Sequence, residues 1–425
     1  MRTYQLPYGK TPLTFEAPDW LTLEQPEAHA VPAAAGEAEL VRAALEHPIG
    51  SPRLRELAVG KNKVVIIASD HTRPVPSKFL IPPMLEEIRT GNPEADITIL
   101  IATGCHRETT VEELRDKFGD EIVEREKIIV HDCDSPDMAD LGILPSGGRL
   151  LINRLAAEAD LLVSEGFVEP HFFAGFSGGR KSVLPGVASR ETVLFNHNAA
   201  FIANPNARAG VLDGNPIHED MVWAAETAKL KFILNVCLDP DKKIIHAVAG
   251  DLQQAHRAGC DFVTAHSGIR ALPADLVITG NGGYPLDQNL YQAVKGMSTA
   301  VPVLRPGGVL IMAAACSDGV GGDYFYRTFA ENPDTKAVLD SILATPGSDT
   351  IIDQWQSQIF AQVLLHCRVI LISTLDDATV QAMGLTPAKS MDEAFAIART
   401  WLDMPVPRGL FLPDGVSIIT APLEN

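Results

Sequence analysis

The chain has 425 residues, of which 46% are hydrophobic, and a formal net charge of −19. This length suffices for two or three domains, and the hydrophobic content supports buried cores and argues against global disorder. No apolar run is long enough to predict a transmembrane helix, and the N-terminal segment lacks the pattern of a secretory signal. The six cysteines form no CxxC pair, as expected of reduced thiols. We therefore expect a globular, cytoplasmic protein that does not bind a membrane.

The acidic balance argues against nucleic acid as a partner, because phosphate backbones are bound by clustered Lys and Arg. It also means that a site for an anionic substrate has to concentrate the few cations of the chain. Basic residues within glycine-rich or turn segments are therefore the first candidates for a site.

Short apolar, β-branched segments alternate with segments of helical period. Continuous apolar runs are typical of strands buried on both faces, as in parallel sheets. Amphipathic helices are predicted at 77–89, 110–118 and 390–404. This alternation predicts an α/β protein with largely parallel, doubly wound sheets. The predicted strands cover residues 63–69, 97–103, 161–167, 232–238, 275–281, 307–315 and 369–375.

A domain boundary is predicted near residues 265–275, where a polar, proline-containing segment precedes a new strand. We predict an N-terminal catalytic and cofactor-binding α/β domain over residues 1–268 and a C-terminal α/β domain over residues 269–404. Residues 405–425 form a tail, whose segment 417–423 is expected to return as a strand to the N-terminal domain.

Four predicted strands run into polar clusters. In open α/β sheets, ligands lie beyond the carboxyl ends of the strands, so these clusters indicate an active site. Asp70 and Arg73 are also compatible with an N-cap and a surface ion pair. Four histidines, one of them in the first cluster, are interpreted from their positions as mainly structural residues: His71, His131, His218 and His246. The four clusters are Asp70–Arg73, Gly104–Arg107, Glu169–Gly175 and Gly282–Lys295.

The segment 175–182 resembles a phosphate-binding Gly-x-x-x-x-Gly-Lys-Ser loop. Arg180 replaces the second glycine, and the segment does not emerge directly from a buried strand, so a nucleotide triphosphatase is not predicted. Its backbone amides could still bind one phosphate, or it could be a plain glycine turn with a solvated Lys181. His197 follows without further metal-binding side chains nearby in the sequence. Any metal there would take most of its donors from a group other than the protein.

Taken together, these motifs resemble the nickel-dependent lactate racemase family. The resemblance spans most of the chain, and the joint presence of the motifs is specific although each alone is modest. Its carriers are SDHTRP (69–74), TGCHRETT (103–110), EPHFFAGFSGGRKSVLPG (169–186), FNHN (195–198), YPLDQNLYQAVKG (284–296) and DQWQSQ (353–358).

The resemblance implies a nickel-pincer nucleotide, a Ni(II)-pyridinium-3,5-bisthiocarboxylate mononucleotide made by maturation proteins. One arm would be joined to Lys181 as a thioamide, and His197 would supply the protein ligand to nickel. Sulfur and imidazole donors suit Ni(II). The phosphate would lie near the turn of Gly178 and Gly179, and near the segment containing Asp70, His71, Thr72 and Arg73.

The resemblance also implies catalytic roles for His106 and His171. The Cα proton of lactate is too weakly acidic for simple abstraction, so a hydride would leave while one histidine takes the hydroxyl proton. Each histidine would serve one enantiomer. The substrate would be bound in a cleft between the domains by Arg73, Tyr291, Gln292, Lys295 and Trp355, although Trp355 is equally compatible with ordinary packing.

Three alternatives accompany this interpretation. The protein could be a racemase or epimerase of a larger 2-hydroxy acid, such as malate, 2-hydroxyglutarate or a sugar acid. It could store nickel without catalysis, although clustered His and Cys are lacking. A nicotinamide-dependent dehydrogenase is a third interpretation, but no Gly-x-Gly-x-x-Gly follows the first strands.

Overall fold

The computed structural model describes residues 2–26 and 33–423 and divides into two compact units. The central unit comprises residues 30–266, and the flanking unit comprises residues 1–29 and 267–425. The second crossing between the units lies where the sequence predicts a boundary. The N-terminal assignment is wrong in one respect, because the first residues of the chain fold with its C-terminal part.

Twenty strands are present in the described ranges, and the predicted α/β alternation is confirmed. All seven predicted strands occur, with ends that differ by up to three residues. In chain order they are β1 (Thr3–Leu6), β2 (Leu13–Glu16), β3 (Thr22–Glu24), β4 (Lys63–Ser69), β5 (Asp96–Ala102), β6 (Lys127–Val130), β7 (Met138–Ile143), β8 (Arg149–Asn153), β9 (Leu161–Phe167), β10 (Pro170–His171), β11 (Gly175–Phe176), β12 (Leu230–Leu238), β13 (Ile244–Gly250), β14 (Gly268–Ala271), β15 (Ala274–Gly280), β16 (Leu304–Ala313), β17 (Arg368–Ile372), β18 (Thr386–Ala388), β19 (Arg408–Leu412) and β20 (Ile419–Pro422).

The three predicted helices also occur, as α3, α4 and α16 in the following series. The α-helices of the described chain are α1 (Glu37–Glu46), α2 (Leu54–Leu57), α3 (Ser77–Gly91), α4 (Val111–Phe118), α5 (Asp120–Arg125), α6 (Arg154–Ala157), α7 (Arg190–Asn196), α8 (Ala199–Ile202), α9 (Pro216–Thr227), α10 (Gln254–Ser267), α11 (Leu290–Ala300), α12 (Asp323–Ala330), α13 (Thr335–Leu343), α14 (Gln354–His366), α15 (Asp377–Ala382) and α16 (Met391–Trp401). Short 3-10 helices cover Gly179–Ser182, Val301–Val303 and Gly347–Asp349.

The main sheet of the central unit has the strand order β13-β12-β9-β4-β5-β6 in the described chain. All neighbours pair in parallel except β12 and β13. Strands β4, β5 and β9 are apolar and buried over nearly their whole length, as expected for strands covered on both faces. Chain order reverses between β4 and β9, so the carboxyl ends of these strands form the switch point at which such sheets bind ligands.

The main sheet of the flanking unit, among the described residues, is parallel throughout and has the order β18-β17-β16-β15-β19-β3. Its own switch point lies between β15 and β19. Strand β3 enters this sheet because Gly409 of β19 pairs with Leu23, which explains why the N-terminal residues belong here. The apolar faces of β15 and β16 pack against Phe15, Phe395 and Phe411 in one core.

The tail contains two strands, and neither joins the central unit. Strand β19 pairs with β15, and β20 pairs with β14, with Gly268 opposite Ile419. The expectation that segment 417–423 returns to the N-terminal domain is therefore wrong, although the strand itself is present. The partner strand β14 follows α10 directly and is the first element after the boundary. Within the described chain, no helix is long and apolar enough to cross a bilayer.

Candidate active site

Asp70 and His106 form a hydrogen-bonded pair at the carboxyl ends of β4 and β5. Asp70 follows β4 directly, and His106 is placed by a turn in which its N–H bonds to Thr103 O. The Asp70 Oδ2 to His106 Nδ1 distance is 2.7 Å. The carboxylate is buried, with 1% of Asp70 exposed, whereas 43% of the His106 side chain is exposed. A buried acid thus holds an imidazole whose ring reaches solvent.

The partners of Asp70 favour its ionised form and set the tautomer of neutral His106. Burial opposes ionisation of Asp70, but hydrogen bonds from His106 and Thr72 and the charge of Arg73 outweigh it and hold the Asp70 pKa below its ordinary value. An ionised carboxylate only accepts hydrogen bonds, so His106 Nδ1 donates. In neutral His106 the lone pair is therefore on Nε2, which can act as a base.

The segment after β4 is held by α4 and the preceding loop. His71 Nδ1 lies 3.0 Å from Thr109 Oγ1 and 3.8 Å from Glu113 Oε2. Thr72 donates to Asp70 Oδ1 through both its N–H and its hydroxyl, at 3.2 and 2.7 Å. Arg73, the last residue of this cluster, is exposed. The predicted cluster Asp70–Arg73 is thus one ordered turn, and Asp70 is not the N-cap of α3, a position that Pro76 occupies.

His171, Lys181 and His197 surround one aromatic ring, that of Phe173. The centroid distance from Phe173 is 4.5 Å to His171 and 5.1 Å to His197, both edge to face. Lys181 Nζ lies 5.9 Å from the same ring centroid. Phe173 is almost fully buried, so it forms a rigid apolar wall shared by the three predicted site residues.

His171 is held differently from His106. The N–H of Ala174 donates to His171 Nδ1 at 3.2 Å, across the short β10–β11 hairpin in which His171 pairs with Gly175. Because Nδ1 accepts, the proton of the neutral ring lies on Nε2. The two histidines therefore carry opposite tautomers, His106 with a basic Nε2 and His171 with an Nε2–H donor.

The turn that presents Lys181 is packed tightly from both sides. Gly178 and Gly179 have φ of +77° and +54°, which favour glycine. A Cβ on Gly178 would lie 2.7 Å from Phe167 O, and one on Gly179 would lie 2.8 Å from the His256 ring. The Gly179 N–H already donates to Asn235 Oδ1 at 2.8 Å. A phosphate at this turn would have to compete with Asn235 for that amide.

Arg180, wholly buried, braces the same turn. Its guanidinium donates to the backbone carbonyls of Ala174, Phe176 and Gly178 at 2.7, 2.8 and 3.1 Å, and to His218 Nδ1 at 3.0 Å. Burial lowers its pKa to about 10. This explains why an arginine stands where a nucleotide-binding loop would have glycine.

His197 has the properties of a neutral metal ligand. Burial and the charge of Lys181 lower its pKa to about 3, so the imidazole is neutral near pH 7, the state in which it can donate to a metal. Within the described ranges, the one grouping of three metal-donor side chains is Asp132, Cys133 and Asp134, not a set at His197. Since no group of three donor side chains among the described residues includes His197, a metal bound there would take most of its donors from another group, such as a cofactor.

The remaining predicted residues lie in the flanking unit, on α11 and α14. Tyr291, Gln292 and Lys295 share α11, which is N-capped by Asn289. The Tyr291 hydroxyl donates to Asp353 Oδ1 at 2.7 Å, and burial together with Asp353 raises the Tyr291 pKa. Trp355 lies two residues after Asp353 and is partly exposed. Tyr291 and the start of α14 are therefore fixed together within this unit.

Sequence reasoning missed several residues that shape these clusters. Phe173 lies within the motif of residues 169–186 but is not among the predicted site residues, although its aromatic neighbours in the sequence are a signal. Asn235 and Glu165 lie inside apolar strands, where an isolated polar residue marks a site of buried hydrogen bonding. Their partners are distant in sequence, and a single chain gives no signal for such pairs.

Comparisons with known proteins agree with one another over nearly the whole chain. The lactate racemase N-terminal domain matches residues 8–210, and the lactate racemase C-terminal domain matches residues 269–420. The chain is 50% identical over 423 residues to a lactate racemase from Thermoanaerobacterium thermosaccharolyticum, covering 99% of each chain. It is 52% identical over 387 residues to a lactate racemase from Lactiplantibacillus plantarum, covering 90% of this chain and 91% of the relative.

Solved structures extend the agreement to the fold. The lactate racemase apoprotein from T. thermosaccharolyticum has a TM-score of 0.94 and 49% identity, covering 99% of this chain and 100% of that chain. A protein from Thermotoga maritima, 21% identical, shares the fold with a TM-score of 0.62 over 88% of this chain and 99% of its own.

The fold and these likenesses first define a class, an isomerase of the racemase type built from two α/β units. Within that class, the chain belongs to the lactate racemase family.

Proposed function

We propose that this protein interconverts the D and L enantiomers of lactate, or of a closely related short 2-hydroxy acid, with His106 and His171 as alternating acid and base. The names of two relatives at 50% and 52% identity support the substrate class. The observation that carries the assignment of roles is the Asp70–His106 pair, in which a buried ionised carboxylate leaves Nε2 free to act as a base.

Proton handling follows from the two histidines. For one enantiomer, His106 Nε2 accepts the hydroxyl proton, and Asp70 stabilises the resulting imidazolium at 2.7 Å. For the other enantiomer, whose hydroxyl lies on the opposite side, His171 takes this role. In the tautomer set by the Ala174 N–H, Nε2 of His171 carries the proton. His171 can therefore act as a base at Nε2 only after Nδ1 has been released from Ala174 and protonated, and the proton on Nε2 has left.

The resident group of this site is proposed to be the nickel-pincer nucleotide, supplied by maturation proteins. Lys181 would hold it as a thioamide, and neutral His197 would donate to its nickel. When bound, this group supplies the electrophilic centre that takes hydride from the substrate carbon. The neutral imidazole of His197, and the position of Lys181 and His197 against Phe173, support this assignment.

Substrate binding is proposed for Arg73, Tyr291, Gln292, Lys295 and Trp355. Exposed Arg73 suits bidentate binding of a carboxylate, and Lys295 would act as a point charge. Gln292 would orient the substrate oxygen. Tyr291 and Trp355 would limit the size of the substrate's side chain and exclude water from the site.

The test is the intact mass of the protein expressed together with its maturation enzymes, followed by racemisation of D-lactate. We expect an adduct with nickel and racemase activity, both lost in Lys181→Ala and both kept in Lys231→Ala, a change at an exposed lysine of the same unit. Adduct and nickel without lactate turnover would redirect the assignment to a larger 2-hydroxy acid, to be found with a substrate panel. The absence of any adduct would refute the proposed cofactor.

A further inference from the structure

The segment from Ser69 to Ser77 carries Asp70, His71, Thr72 and Arg73, and it connects β4 to α3. It has no regular secondary structure of its own between these elements. Positions on such a connection are held only as firmly as their contacts allow. Besides the contacts of Asp70 with His106 and of His71 with Thr109, two charged residues outside the segment hold it. They are Glu165, which is buried, and Lys117, which is half-buried.

Glu165 joins both ends of the segment. It lies in the middle of β9, next to the switch point, and is 3% exposed. Its Oε1 accepts three hydrogen bonds: from Ser69 N–H at 2.8 Å, from Ser69 Oγ at 2.8 Å and from Ser77 Oγ at 3.1 Å. Its Oε2 is buried and accepts no hydrogen bond from the described residues. Every hydrogen bond that the Glu165 side chain accepts from the described residues thus comes from one of the two ends of this segment.

Lys117 holds the middle of the same segment. From α4, its ammonium donates to Arg73 O at 3.1 Å and to Val75 O at 3.3 Å. Burial lowers the Lys117 pKa, while the nearby charges of Glu165 and Asp70 oppose this shift. Glu165 and Lys117 thus carry opposite charges on elements that both bind this segment.

We propose that Glu165 and Lys117 are positioning residues that fix Asp70 and Arg73 for the reaction. Glu165 acts through Ser69, the neighbour of Asp70, and so governs the orientation of His106. Lys117 acts through the Arg73 carbonyl and so governs where the guanidinium lies. This inference rests on the proposed function of Asp70, His106 and Arg73. Its structural half, the fixing of the segment, is independent of the substrate.

Substitutions of Glu165 and of Lys117 are expected to have different kinetic effects. Glu165→Gln keeps the size of the side chain but removes the charge that makes three hydrogen bonds to one oxygen strong. We expect kcat to fall by about tenfold or more, with little change in KM, because one charge-assisted hydrogen bond corresponds to at least that factor. Lys117→Met removes the donors to Arg73 O and Val75 O, and we expect mainly a higher KM, by about tenfold.

The first measurement is hydrogen–deuterium exchange on the full-length chain without cofactor, followed by mass spectrometry of peptides covering residues 69–77. We expect faster exchange in this segment, by about tenfold, in Glu165→Gln and in Lys117→Met. The matched control is Glu87→Gln. Glu87 is 5% exposed, lies on α3, and accepts hydrogen bonds from Arg53 and Arg55, none of them in the segment. This control should lower thermal stability without faster exchange at 69–77 and without a change in kcat.

Unchanged exchange in residues 69–77 of both variants would overturn the proposal, and so would an equal increase in Glu87→Gln. Faster exchange with normal kcat and KM in the loaded enzyme would also overturn it, since the segment would then be held without consequence for the reaction. Because exchange is measured without cofactor, an enzyme inactive on lactate would refute the proposed substrate but leave the exchange result intact.

Discussion

Replacing Asp70 by asparagine tests the acid–base pair most directly. Thr72 donates to Asp70 Oδ1 through both its N–H and its hydroxyl, so the amide oxygen of asparagine has to take that position. The amide NH2 then faces His106 Nδ1, which becomes an acceptor. The neutral ring would carry its proton on Nε2, and the base would be lost.

The size of the effect follows from the lost hydrogen bond. A hydrogen bond to a charged group contributes about 1.5–3 kcal/mol. Because the carboxylate is buried but 43% of the His106 side chain is exposed, we take about 2 kcal/mol, or roughly a 30-fold lower kcat, as a minimum. The change of tautomer adds to this loss.

The assay is racemisation of D-lactate by the loaded enzyme, with the Lys181 adduct quantified by intact mass in the same sample. Asp275→Asn is the matched control, since Asp275 is also buried and bonded to a cation, Arg305, but lies at the start of β15. It should keep its kcat. A kcat of Asp70→Asn within threefold of wild type, at full adduct occupancy, would refute the reasoning. A parallel loss of adduct and activity would instead identify Asp70 as a cofactor-binding residue.

Three further predictions concern stability, all measured by urea unfolding of the chain without cofactor. Gly178→Ala should lower the free energy of unfolding by about 2–4 kcal/mol, because alanine is strained at this positive φ and its Cβ clashes with Phe167 O. Gly60→Ala, where φ is +70° and the space is open, should lower it by only about 1–2 kcal/mol. Equal losses in the two variants would contradict the packing argument. Arg180→Met should lower the free energy of unfolding by about 3–5 kcal/mol by leaving buried carbonyls unpaired, and a loss below 1 kcal/mol would contradict the bracing role. Burial lowers the His131 pKa. As pH falls through about 6.5, His131 is therefore protonated in the unfolded chain but stays neutral in the folded chain, which favours unfolding. Stability should therefore fall less between pH 7.5 and 5.5 in His131→Gln than in wild type, and identical slopes would contradict this.

Much of the fold was predictable because buried parallel strands have a simple sequence signature. Strands β4, β5 and β9 are largely apolar, although Ser164 and Glu165 interrupt β9, and polar residues mark most of their ends. The partner of a strand has no such signature. Nothing in segment 417–423 indicates β14 rather than the central unit, and the three residues of β3 are too short to show a period.

The site was predictable as a set of motifs but not as a network. The position of Asp70 after a strand indicated a role, whereas its bond to His106 depends on a turn at the end of a neighbouring strand. The tautomer of His171 depends on one backbone N–H of a hairpin. Likewise, the three donors to Glu165 come from two residues separated from it by about ninety positions. Such contacts arise only once the sheet has assembled.

The interrupted sequence of the flanking unit has a consequence for biosynthesis. Every strand of the central sheet finds its partners within residues 33–266, so this unit can fold while the rest of the chain is still on the ribosome. Strand β3 precedes the central unit in the sequence, but its partner among the described residues is β19, which follows that unit and is synthesised after it. The sheet of the flanking unit can therefore gain β3 only after β19 has been synthesised, whereas the sheet of the central unit needs no strand from outside residues 33–266.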